Sequence, residues 1–405
     1  MFSDLVCQHY NLILIMTTNS SPCEDMLTLE QRLATDSMER KLVIGLPCGM
    51  GFGERRFPLT PEGAEQLIES KVIVKIESGA GTPIHYSDAS YAKVGVQVCS
   101  RSEVLAADIV ISPAPLQMAD VKYMRRGALL ITLLNSVTTY PNYAKKLLGS
   151  GINALAADLI NDNGQRLVAD ILHEIDGCAS LVVAASMLAN PIDGKGILLG
   201  GVAGVSPGEI TILGSGMGAI AAAHNGLGLG ATVRMFDNDM YSLRSASRVL
   251  NHQTIASALH PRVLRTALKS ADAIIVTPMK NSLRIDGELA SLMKSRALVF
   301  DLTNTPGTTF PSLPLINLGT TDSTTTSGRA CYYNVGCQVP RTAAMALSNI
   351  LAANIEELRA AYASLTEMPR AMRPGLLFYW GKCLNSKVAE AIGVRPLDVN
   401  LLIGN

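Results

Sequence analysis

The sequence predicts an α/β protein with two doubly wound parallel-sheet domains joined by long helices. Two separate series of short apolar strands alternate with helical stretches along the chain. The strands are apolar throughout rather than at alternate residues, which is typical of a parallel sheet covered by helices on both faces. The chain has 405 residues, more than a single hydrophobic core usually holds, and this favours two domains.

The first series begins at Lys41, where KLVIGLP predicts a short buried strand. The glycine-rich loop GMGFGERR follows, and Thr60-Pro61-Glu62 then predicts a helix start, with Thr as the cap and Pro at the first helical position. The remaining strands of this series are predicted by VIVKIESGAG, VQVCS, DIVISPAP, ALLITLL and INALAADLI. We expect residues 1–40 to be a variable N-terminal extension.

The second series starts at Glu209 with the strand segments EITILG, ATVRMFD, AIIVTP and ALVFDL. A long helix, from about Leu172 to Asn190, and the glycine-rich segment GKGILLGGVAGVSPGE connect the two series. From Arg341 the pattern becomes helical, and we expect an all-helical return of the C-terminus to the first domain. The predicted domains are residues 41–185 with 341–405, and residues 186–340.

Composition excludes several classes of function. Lys plus Arg and Asp plus Glu each number 34, so the net charge is zero and argues against nucleic acid or an anionic membrane as partner. The eight cysteines contain no CxxC pair, which predicts free thiols in the reducing cytoplasm and no metal site. No uninterrupted apolar run approaches the ~20 residues of a spanning helix, and YNLILIM near the N-terminus is too short. The sequence therefore predicts a cytoplasmic protein without a membrane-inserted segment.

The strongest motif lies between a predicted strand and a predicted helix of the second series. It consists of Gly214, Ser215, Gly216, Met217, Gly218 and Ala219, which form GxGxxA, a permitted variant of the dinucleotide-binding fingerprint. Gly214 allows the tight turn, and Gly216 lets the pyrophosphate approach the backbone. The helix N-terminus supplies free N–H groups and a partial positive charge for the phosphates.

An acid follows the fingerprint at the expected distance. Asp237 ends the next predicted strand, 21 residues after Gly216 (237 − 216), close to the usual spacing of about 20. A carboxylate there accepts hydrogen bonds from the ribose hydroxyls and repels a 2′-phosphate, so the predicted cofactor is NAD. Asn238 completes this part of the predicted site. The alternative is a structural glycine turn in a domain that has lost its ligand.

With these residues placed, the chain resembles the alanine dehydrogenase family, whose nearest relative is the nucleotide-binding subunit of proton-translocating transhydrogenase. The resemblance is carried by IGLPCGMGFGERRFPLTP, IESGAGTPIHYSDASYAKVGV, GLGLGATVRMFDNDMYSLR and PRTAAMALSNI. The tail GLLFYWGKCLNSKVAEAIGVRPLDVNLLI is similar to bacterial sequences usually classed with alanine dehydrogenase. The resemblance implies Rossmann-like domains, the first for substrate and the second for NAD, with the cofactor in the cleft between them.

The resemblance assigns roles to residues of both domains. It implies that Arg56 holds the substrate carboxylate; the alternative is an ordinary exposed arginine beside Arg55. It also places the backbone of Val276, Thr277 and Pro278 against the adenosine and ribose, and the alternative there is simple turn chemistry at a strand end.

At three other chemical positions the sequence departs from the family. Pro113 lies in the segment where the family has a catalytic Lys, and Lys122 comes too late to replace it. Asn135 matches the catalytic His, and an Asn donates a hydrogen bond but carries no proton between groups. An expected acid matches about Thr305. These departures indicate that the chain has kept nucleotide binding and lost the proton-transfer groups of the family, or that other residues now transfer the proton.

Two pairs of residues could supply the missing acid–base chemistry. His173-Glu174 begins a helix that we expect to face the cleft, and the alternative is a helix-end His with an exposed Glu. His85 and Tyr86 follow a glycine turn near the same edge and carry an equally weak case.

The sequence thus predicts an NAD-dependent L-alanine dehydrogenase-like oxidoreductase that converts L-alanine, NAD and water to pyruvate, ammonium and NADH. In this hypothesis Arg56 and Asn135 contact the substrate. The alternative is a catalytically altered or inactive NAD-binding protein, acting as a sensor or as a transhydrogenase-like partner subunit. We expect an amino acid or 2-oxo acid as the small-molecule partner, no nucleic acid, and a homo-oligomer, because family members assemble through such long helices.

Overall fold

The computed structural model describes residues 41–49, 53–320 and 329–403. The expectations for residues 1–40, including YNLILIM, and for residues 50–52 of the glycine-rich loop lie outside the described residues. The strands are β1 Val43–Leu46, β2 Ile73–Glu77, β3 Gln97–Cys99, β4 Ile109–Ile111, β5 Leu129–Thr132, β6 Asn153–Ala156, β7 Glu209–Leu213, β8 Thr232–Phe236, β9 Ile255–Ser257, β10 Ala273–Val276, β11 Leu298–Asp301, β12 Leu315–Asn317, β13 Cys331–Tyr333, β14 Leu376–Tyr379 and β15 Lys382–Cys383.

The helices surround the two sheets that these strands form. They are α1 Pro61–Glu69, α2 Asp88–Lys93, α3 Arg101–Leu105, α4 Leu134–Thr138, α5 Pro141–Gly149, α6 Leu167–Ala189, α7 Met217–Gly228, α8 Met240–Val249, α9 Pro261–Ser270, α10 Gly287–Ser291, α11 Pro340–Ala353, α12 Ile355–Ala363, α13 Ser386–Ile392 and α14 Asn400–Ile403. The predicted helix start at Thr60 is confirmed, since its hydroxyl accepts the Gly63 N–H and Pro61 opens α1.

Both sheets have the same doubly wound strand order at their centres. The first sheet runs β15-β14-β6-β5-β4-β1-β2-β3, and the second runs β12-β13-β11-β10-β7-β8-β9. Strands β4, β5, β6, β10 and β11 are buried at every residue, as continuous apolar strands in a doubly covered parallel sheet must be. The predicted fold class, two Rossmann-like α/β domains, is confirmed.

The strand order reverses at the centre of each sheet, between β1 and β4 in the first and between β7 and β10 in the second. In open α/β sheets the loops at the carboxyl ends of the strands diverge at this switch point and leave a crevice for ligands. The fold therefore creates two crevices, and the loops after β1, β4, β7 and β10 line them.

The expectation of an all-helical C-terminal return is wrong. Strand β14 pairs antiparallel with β6 and with β15, so a hairpin forms one edge of the first sheet. The hairpin turn is Trp380-Gly381, with φ of 45° and 76°, and positive φ at both central residues matches the twist of a tight hairpin. The apolar and aromatic LLFY before Trp380 was the signal for a strand.

Helix α6 starts five residues earlier than predicted, at Leu167 rather than Leu172. By length and composition its 23 residues could cross a membrane. It contains no uninterrupted apolar run of that length, because His173, Glu174 and Asp176 interrupt its apolar residues. Since 56% of its most apolar window is buried inside the protein, and it packs along α7, α6 is a core helix of this fold.

Candidate active site

A cleft of about 600 Å³ opens at the carboxyl edge of the first sheet and against loops of the second. Its walls include the four positions to which the family resemblance assigned chemistry: Arg56, Pro113, Asn135 and Thr305. In the chain these residues follow strands β1, β4, β5 and β11, respectively. The fold thus brings together four positions that are as much as about 250 residues apart in sequence.

Two of the three guanidinium nitrogens of Arg56 are already paired with Glu54. Its Nε donates to Glu54 Oε1 at 2.8 Å and its Nη2 donates to Glu54 Oε2 at 2.7 Å. Burial alone would lower the pKa of Arg56, but the charge and hydrogen bonds of Glu54 hold it well above its ordinary value. For Glu54, burial favours a higher pKa and Arg56 outweighs it, so the pKa lies below its ordinary value. Only the Nη1 side of Arg56 is left for an anionic ligand.

Asn135 is exposed to the cleft in the first turn of α4. Asp158 accepts the Leu134 N–H through Oδ1 at 2.9 Å, and Ser136 donates to the Pro113 carbonyl at 2.6 Å. These two bonds fix the start of α4 and join it to the loop that contains Pro113. Burial raises the pKa of Asp158, although the hydrogen bond from Leu134 opposes the rise.

The loop that contains Thr305 is organised by Asp301, which is 1% exposed. Asp301 Oδ1 accepts the hydroxyl and the N–H of Thr303, and Oδ2 accepts the Gly307 N–H at 2.8 Å. Both carboxylate oxygens are used in holding the loop, so Asp301 positions this wall. Thr305 itself is exposed at the cleft and carries no ionisable group.

Asp176 is a cleft residue that the sequence analysis did not single out. It lies on α6, is partly exposed, and its Oδ1 accepts the Gly336 N–H at 2.9 Å. Burial raises the pKa of Asp176 to about 6, with a smaller rise from Glu54, while Arg56 and the Gly336 hydrogen bond oppose it. The only sequence signal was a carboxylate among apolar residues, one helical turn after His173.

Of the two pairs proposed to supply acid–base chemistry, one residue reaches the cleft. His173 lines it, whereas Glu174, on the same helix, is exposed away from the cleft wall. Burial lowers the pKa of His173, and the nearby charge of Arg166 lowers it further. His85 and Tyr86 are not among the residues that line the cleft; the Tyr86 ring stacks under the Arg341 guanidinium at 4.6 Å.

Arg166 is a second cation on the cleft wall that sequence reasoning missed. It precedes the first residue of α6, is exposed, and lines the cleft together with Arg56. Lys122 lies elsewhere, exposed in a short 3₁₀ turn with its ammonium 4.9 Å from the Tyr123 ring. Among the described residues no group of three or more His, Cys, Asp or Glu could hold a metal ion.

The fingerprint turn joins β7 to α7. Gly214 has φ of +113°, a conformation that favours glycine, and its N–H donates to the Phe236 carbonyl at 2.7 Å. A β-carbon at Gly216 would meet no atom within 4 Å, so open space lies over this peptide. Met217 and Gly218 begin α7, whose first N–H groups have no partner within the helix. Gly218 instead packs against α6, where a β-carbon would come within 2.9 Å of the His173 carbonyl oxygen.

Asp237 links the fingerprint to the end of β8. Ser215 Oγ donates to Asp237 Oδ2 at 2.7 Å, and the Asp239 N–H donates to Oδ1 at 2.9 Å. A second cavity, of about 240 Å³, begins at this carboxylate and is called the Asp237 cavity below. It is lined by Asp237, Asn238, Asp239, Leu259, Met279, Lys280 and Asn281. The Lys280 ammonium pairs with Asp239 at its rim.

The strand-end segment Val276, Thr277 and Pro278 lies beside the fingerprint rather than in either cavity. Val276 and Thr277 are buried, and Thr277 donates to the Leu213 carbonyl through its N–H at 2.8 Å and its hydroxyl at 3.1 Å. A β-carbon at Gly214 would collide with the Thr277 hydroxyl. Thr277 therefore supports the glycine turn, and Pro278 is the exposed residue of the three.

A dinucleotide fits these features. The peptide at Gly216 is open, α7 points its free N–H groups at the same space, and the Asp237 cavity offers a carboxylate to a ribose. The cleft at the first sheet extends to the second-sheet residues Thr305 and Asn334. The two cavities thus receive residues from both sides of the second switch point.

Comparisons with known proteins agree with this geometry. The model for the alanine dehydrogenase/PNT N-terminal domain matches residues 45–174, and the model for the alanine dehydrogenase/PNT C-terminal domain matches residues 180–386. The alanine dehydrogenase of Bacillus subtilis (strain 168) is 28% identical over 316 residues, which cover 76% of this chain and 83% of that protein.

Solved structures share the architecture. A structure of L-alanine dehydrogenase has a TM-score of 0.76 at 24% identity and covers 87% of this chain and 99% of its own. The structure of transhydrogenase from Sinorhizobium meliloti has a TM-score of 0.68 at 18% identity and covers 85% of this chain and 99% of its own. At these identities the likeness establishes the fold.

Proposed function

Because the chain belongs to the alanine dehydrogenase/PNT family, we propose that it is an NAD-dependent oxidoreductase that converts L-alanine, NAD and water to pyruvate, ammonium and NADH. One observation carries the proposal. Arg56, Pro113, Asn135 and Thr305, which follow strands of both sheets, line one cleft. The cleft residue His173 packs against Gly218 of the dinucleotide fingerprint. Cofactor and substrate would then meet where the reaction requires them.

In this proposal the second sheet holds NAD. The N–H groups at the start of α7 bind the pyrophosphate over Gly216, and Asp237 accepts hydrogen bonds from the adenosine ribose. Asn238 and the Val276–Pro278 segment complete the adenosine side. The carboxylate of Asp237 disfavours a 2′-phosphate, although Lys280 at the rim offsets part of that repulsion. When bound, the cofactor accepts a hydride from the substrate.

The first sheet binds the amino acid. Arg56 attracts the carboxylate from its Nη1 side, because Glu54 occupies Nε and Nη2. Asn135 donates a hydrogen bond to the developing carbonyl oxygen. Arg166, exposed on the same wall, is a second candidate for carboxylate binding. If Arg56 is the anchor, Arg56→Ala raises KM far more than it lowers kcat, and Arg166→Ala leaves KM near the wild-type value.

A second candidate function is supported by Pro113 and Asn135. Neither side chain can transfer a proton, so the cleft lacks proton donors at two positions where the resemblance implied them. A catalytically altered NAD-binding protein, acting as a sensor or as a transhydrogenase-like partner subunit, would keep the fingerprint and lose turnover. Neighbouring genes for membrane-spanning subunits would favour the partner-subunit form of this candidate.

We also propose that the protein is a cytoplasmic homo-oligomer. The six described cysteines are free, as expected in a reducing compartment. Ile192, Leu198 and Val205, in the segment after α6, are exposed by 80%, 67% and 63%, and contact with a second subunit would bury such apolar side chains. Light scattering of the purified chain measures its molar mass, and a monomeric mass contradicts the proposal.

The deciding experiment for the function measures NADH formation from a panel of L-amino acids and NADH consumption with 2-oxo acids plus ammonium. Turnover with L-alanine and pyruvate is expected. NADH binding without turnover on any panel member would favour the second candidate. Absence of NADH binding at millimolar ligand would contradict both.

A further inference from the structure

We propose that Asp176 is the catalytic residue that takes the proton from the α-ammonium group of the amino acid bound in the cleft. The inference rests on the proposed function and adds the acid–base residue that the family positions no longer supply. It follows from where Asp176 lies relative to Arg56, from the hydrogen bond that holds its Oδ1, and from the groups that surround it.

The position is fixed by Gly336, which is in contact with both side chains. The Gly336 N–H binds Asp176 Oδ1 at 2.9 Å. A β-carbon at Gly336 would collide with that Oδ1 and would lie 3.7 Å from Arg56 Nη1. Asp176 is therefore next to the side of Arg56 that Glu54 leaves open, and it lines the cleft while Gly336 holds its Oδ1.

Substrate geometry then selects Asp176. In an α-amino acid the ammonium nitrogen is one carbon away from the carboxylate. A carboxylate held at Arg56 Nη1 thus carries its ammonium group to the neighbourhood of Asp176. The other acid beside Arg56 is Glu54, and both of its oxygens bind the guanidinium. Asp158 also lines the cleft, but its Oδ1 binds the Leu134 N–H and the cations that act on it are Arg166 and Lys387.

The charges that act on Asp176 are those of Arg56 and Glu54. Arg56 and Glu54 face it from the loop after β1, and the Cys337 thiol beside Glu54 stays neutral, because burial raises its pKa to about 12. His173 lies on its own helix, and α7 packs on that helix through the uncharged Gly218 and Ala221. Asp176 is ionised above about pH 6. At neutral pH it is therefore a carboxylate that can accept a proton.

The proton transfer balances. An N–H bond of the ammonium breaks, its electron pair stays on nitrogen, and an O–H bond forms on Asp176. That lone pair forms a C=N bond as the hydride leaves Cα with both electrons of the C–H bond for the nicotinamide, which is reduced. Water hydrolyses the C=N bond to the 2-oxo acid and ammonium, and Asp176 returns its proton to solvent. The sum is the amino acid, NAD and water giving the 2-oxo acid, ammonium, NADH and one proton.

The test compares wild type with Asp176→Asn, which keeps the side-chain size, and with Glu174→Gln, which removes an exposed carboxylate from the same helix. Initial rates of L-alanine oxidation across pH are expected to fall as pH drops through about 6 in wild type, because the carboxylate form is the base. Asp176→Asn should lower kcat by roughly 10²- to 10⁴-fold, remove that acid limb and leave NADH binding unchanged. Glu174→Gln should match wild type.

A second readout is independent of turnover. Oxamate is an analogue of pyruvate in which an amino group replaces the methyl group, so that an uncharged amide lies beside the carboxylate. When oxamate binds to the NADH complex, its negative charge lies next to Asp176 and raises the affinity of Asp176 for a proton. Calorimetry at about pH 7 in two buffers of different ionisation enthalpy should show proton uptake on binding in wild type and in Glu174→Gln, and none in Asp176→Asn.

The outcomes are distinguishable. If wild type is active and Asp176→Asn keeps both the acid limb and the proton uptake, this inference is overturned and the proposed function stands. Loss of the acid limb in Asp158→Asn, with Asp176→Asn unaffected, assigns the base elsewhere and also overturns it. A wild type that binds NADH but neither oxidises L-alanine nor binds oxamate overturns the proposed function and this inference together.

Discussion

Single side chains in the cleft and in the Asp237 cavity act through the pairs that they form. Arg56 is a cation whose charge is largely compensated by Glu54 in a two-point contact, so a ligand carboxylate encounters an arginine with one free side. Asp237 is held between Ser215 and the backbone of Asp239, so its carboxylate is oriented before any ribose arrives. Each hydrogen bond to a charged group typically contributes about 1.5–3 kcal/mol. Such prior pairing fixes the geometry that a ligand meets.

Asp237→Ala should weaken NADH binding by roughly 10- to 100-fold, because the ribose loses hydrogen bonds to a charged acceptor. Asp237→Asn should narrow the gap between NADH and NADPH affinity, because the repulsion of a 2′-phosphate is removed. Titration calorimetry with both cofactors measures the two effects. Glu288→Gln, whose carboxylate is 86% exposed in the same domain, is the control. NADH affinity equal to wild type in Asp237→Ala would remove Asp237 from the cofactor site.

Glu54→Gln should shift the acid limb of L-alanine oxidation to lower pH and lower KM several-fold. Glu54 contributes to the raised pKa of Asp176, whereas Arg56 opposes it, so neutralising Glu54 lets Arg56 stabilise both the Asp176 carboxylate and an incoming carboxylate. Rate profiles across pH measure the shift. Cys337→Ser, which keeps a donor near Glu54 and changes no charge, should leave the limb in place. A limb that moves to higher pH contradicts the assignment.

Helix α6 is the element that connects the cofactor side to the substrate side. Its residue Asp176 reaches Gly336 and the cleft, while the adjacent Gly177 packs under the start of α7, where a β-carbon would collide with the Gly218 carbonyl oxygen. Two helices approach this closely only where one has no side chain. The fingerprint turn and the proposed base are therefore positioned by the same stretch of one helix.

Gly177→Ala should destabilise the protein by on the order of 1–3 kcal/mol and weaken NADH binding, because the added methyl group forces α6 and α7 apart. Ala221, whose β-carbon lies 3.0 Å from the same point, would also have to move. Gly228→Ala, in α7, is the matched control, since its β-carbon meets no atom within 4 Å; that change should be neutral or raise stability by up to about 1 kcal/mol. Urea unfolding measures the stability of both variants, and titration measures their NADH affinity. Equal values for the two variants would show that the contact between α6 and α7 has room for a methyl group.

Elements with a strong local signal could be predicted, and elements that depend on partners could not. The apolar strands β1, β5 and β10 and the family itself were predicted from their residues and are confirmed. Five strands have three residues each: β3 and β4 were predicted, whereas β9, β12 and β13 were missed. So short a segment is only weakly specified by its own pattern and depends on its neighbours. The hairpin at Trp380 was missed because a helical pattern before it was extended through the tail.

The candidate site divides in the same way. Arg56, Asn135 and the fingerprint glycines follow strands in sequence, so their meeting at sheet edges could be anticipated, while their roles stay predictions. Asp176 and Asp158 could not be anticipated, because what distinguishes them is burial and contact with Gly336 and Leu134, which lie 160 and 24 residues away in the sequence. A motif gives local chemistry, and the environment that changes a pKa is assembled by the whole fold.

At the scale of the whole molecule the chain leaves the second sheet and returns to the first. Strands β14 and β15 extend the sheet that β1–β6 form, and β7–β13 form the other sheet. We therefore propose the domain division at residues 41–185 with 341–405, and 186–340. The two connections between the proposed domains run at α6, which lines the cleft, and at α11. Relative movement of the domains would therefore open or close the site.

The global stability should record the cost of keeping Asp176 in that site. Burial raises its pKa from an ordinary 3.8 to about 6 in the folded state. The folded protein thus binds more protons at this carboxyl than the unfolded chain does between these values, so the contribution of Asp176 to stability is greatest below about pH 4 and is lost as pH rises through about 6. Asp176→Asn removes this loss. Its free energy of unfolding should gain on wild type by on the order of 2–3 kcal/mol between about pH 4 and about pH 7. Urea midpoints of wild type, Asp176→Asn and Glu174→Gln across this range measure the gain; the exposed Glu174 variant should run parallel to wild type. Parallel curves of urea midpoint against pH for all three proteins would mean that Asp176 is as well solvated in the folded protein as in the unfolded chain. Placing a base in the cleft would then not reduce the stability of the fold.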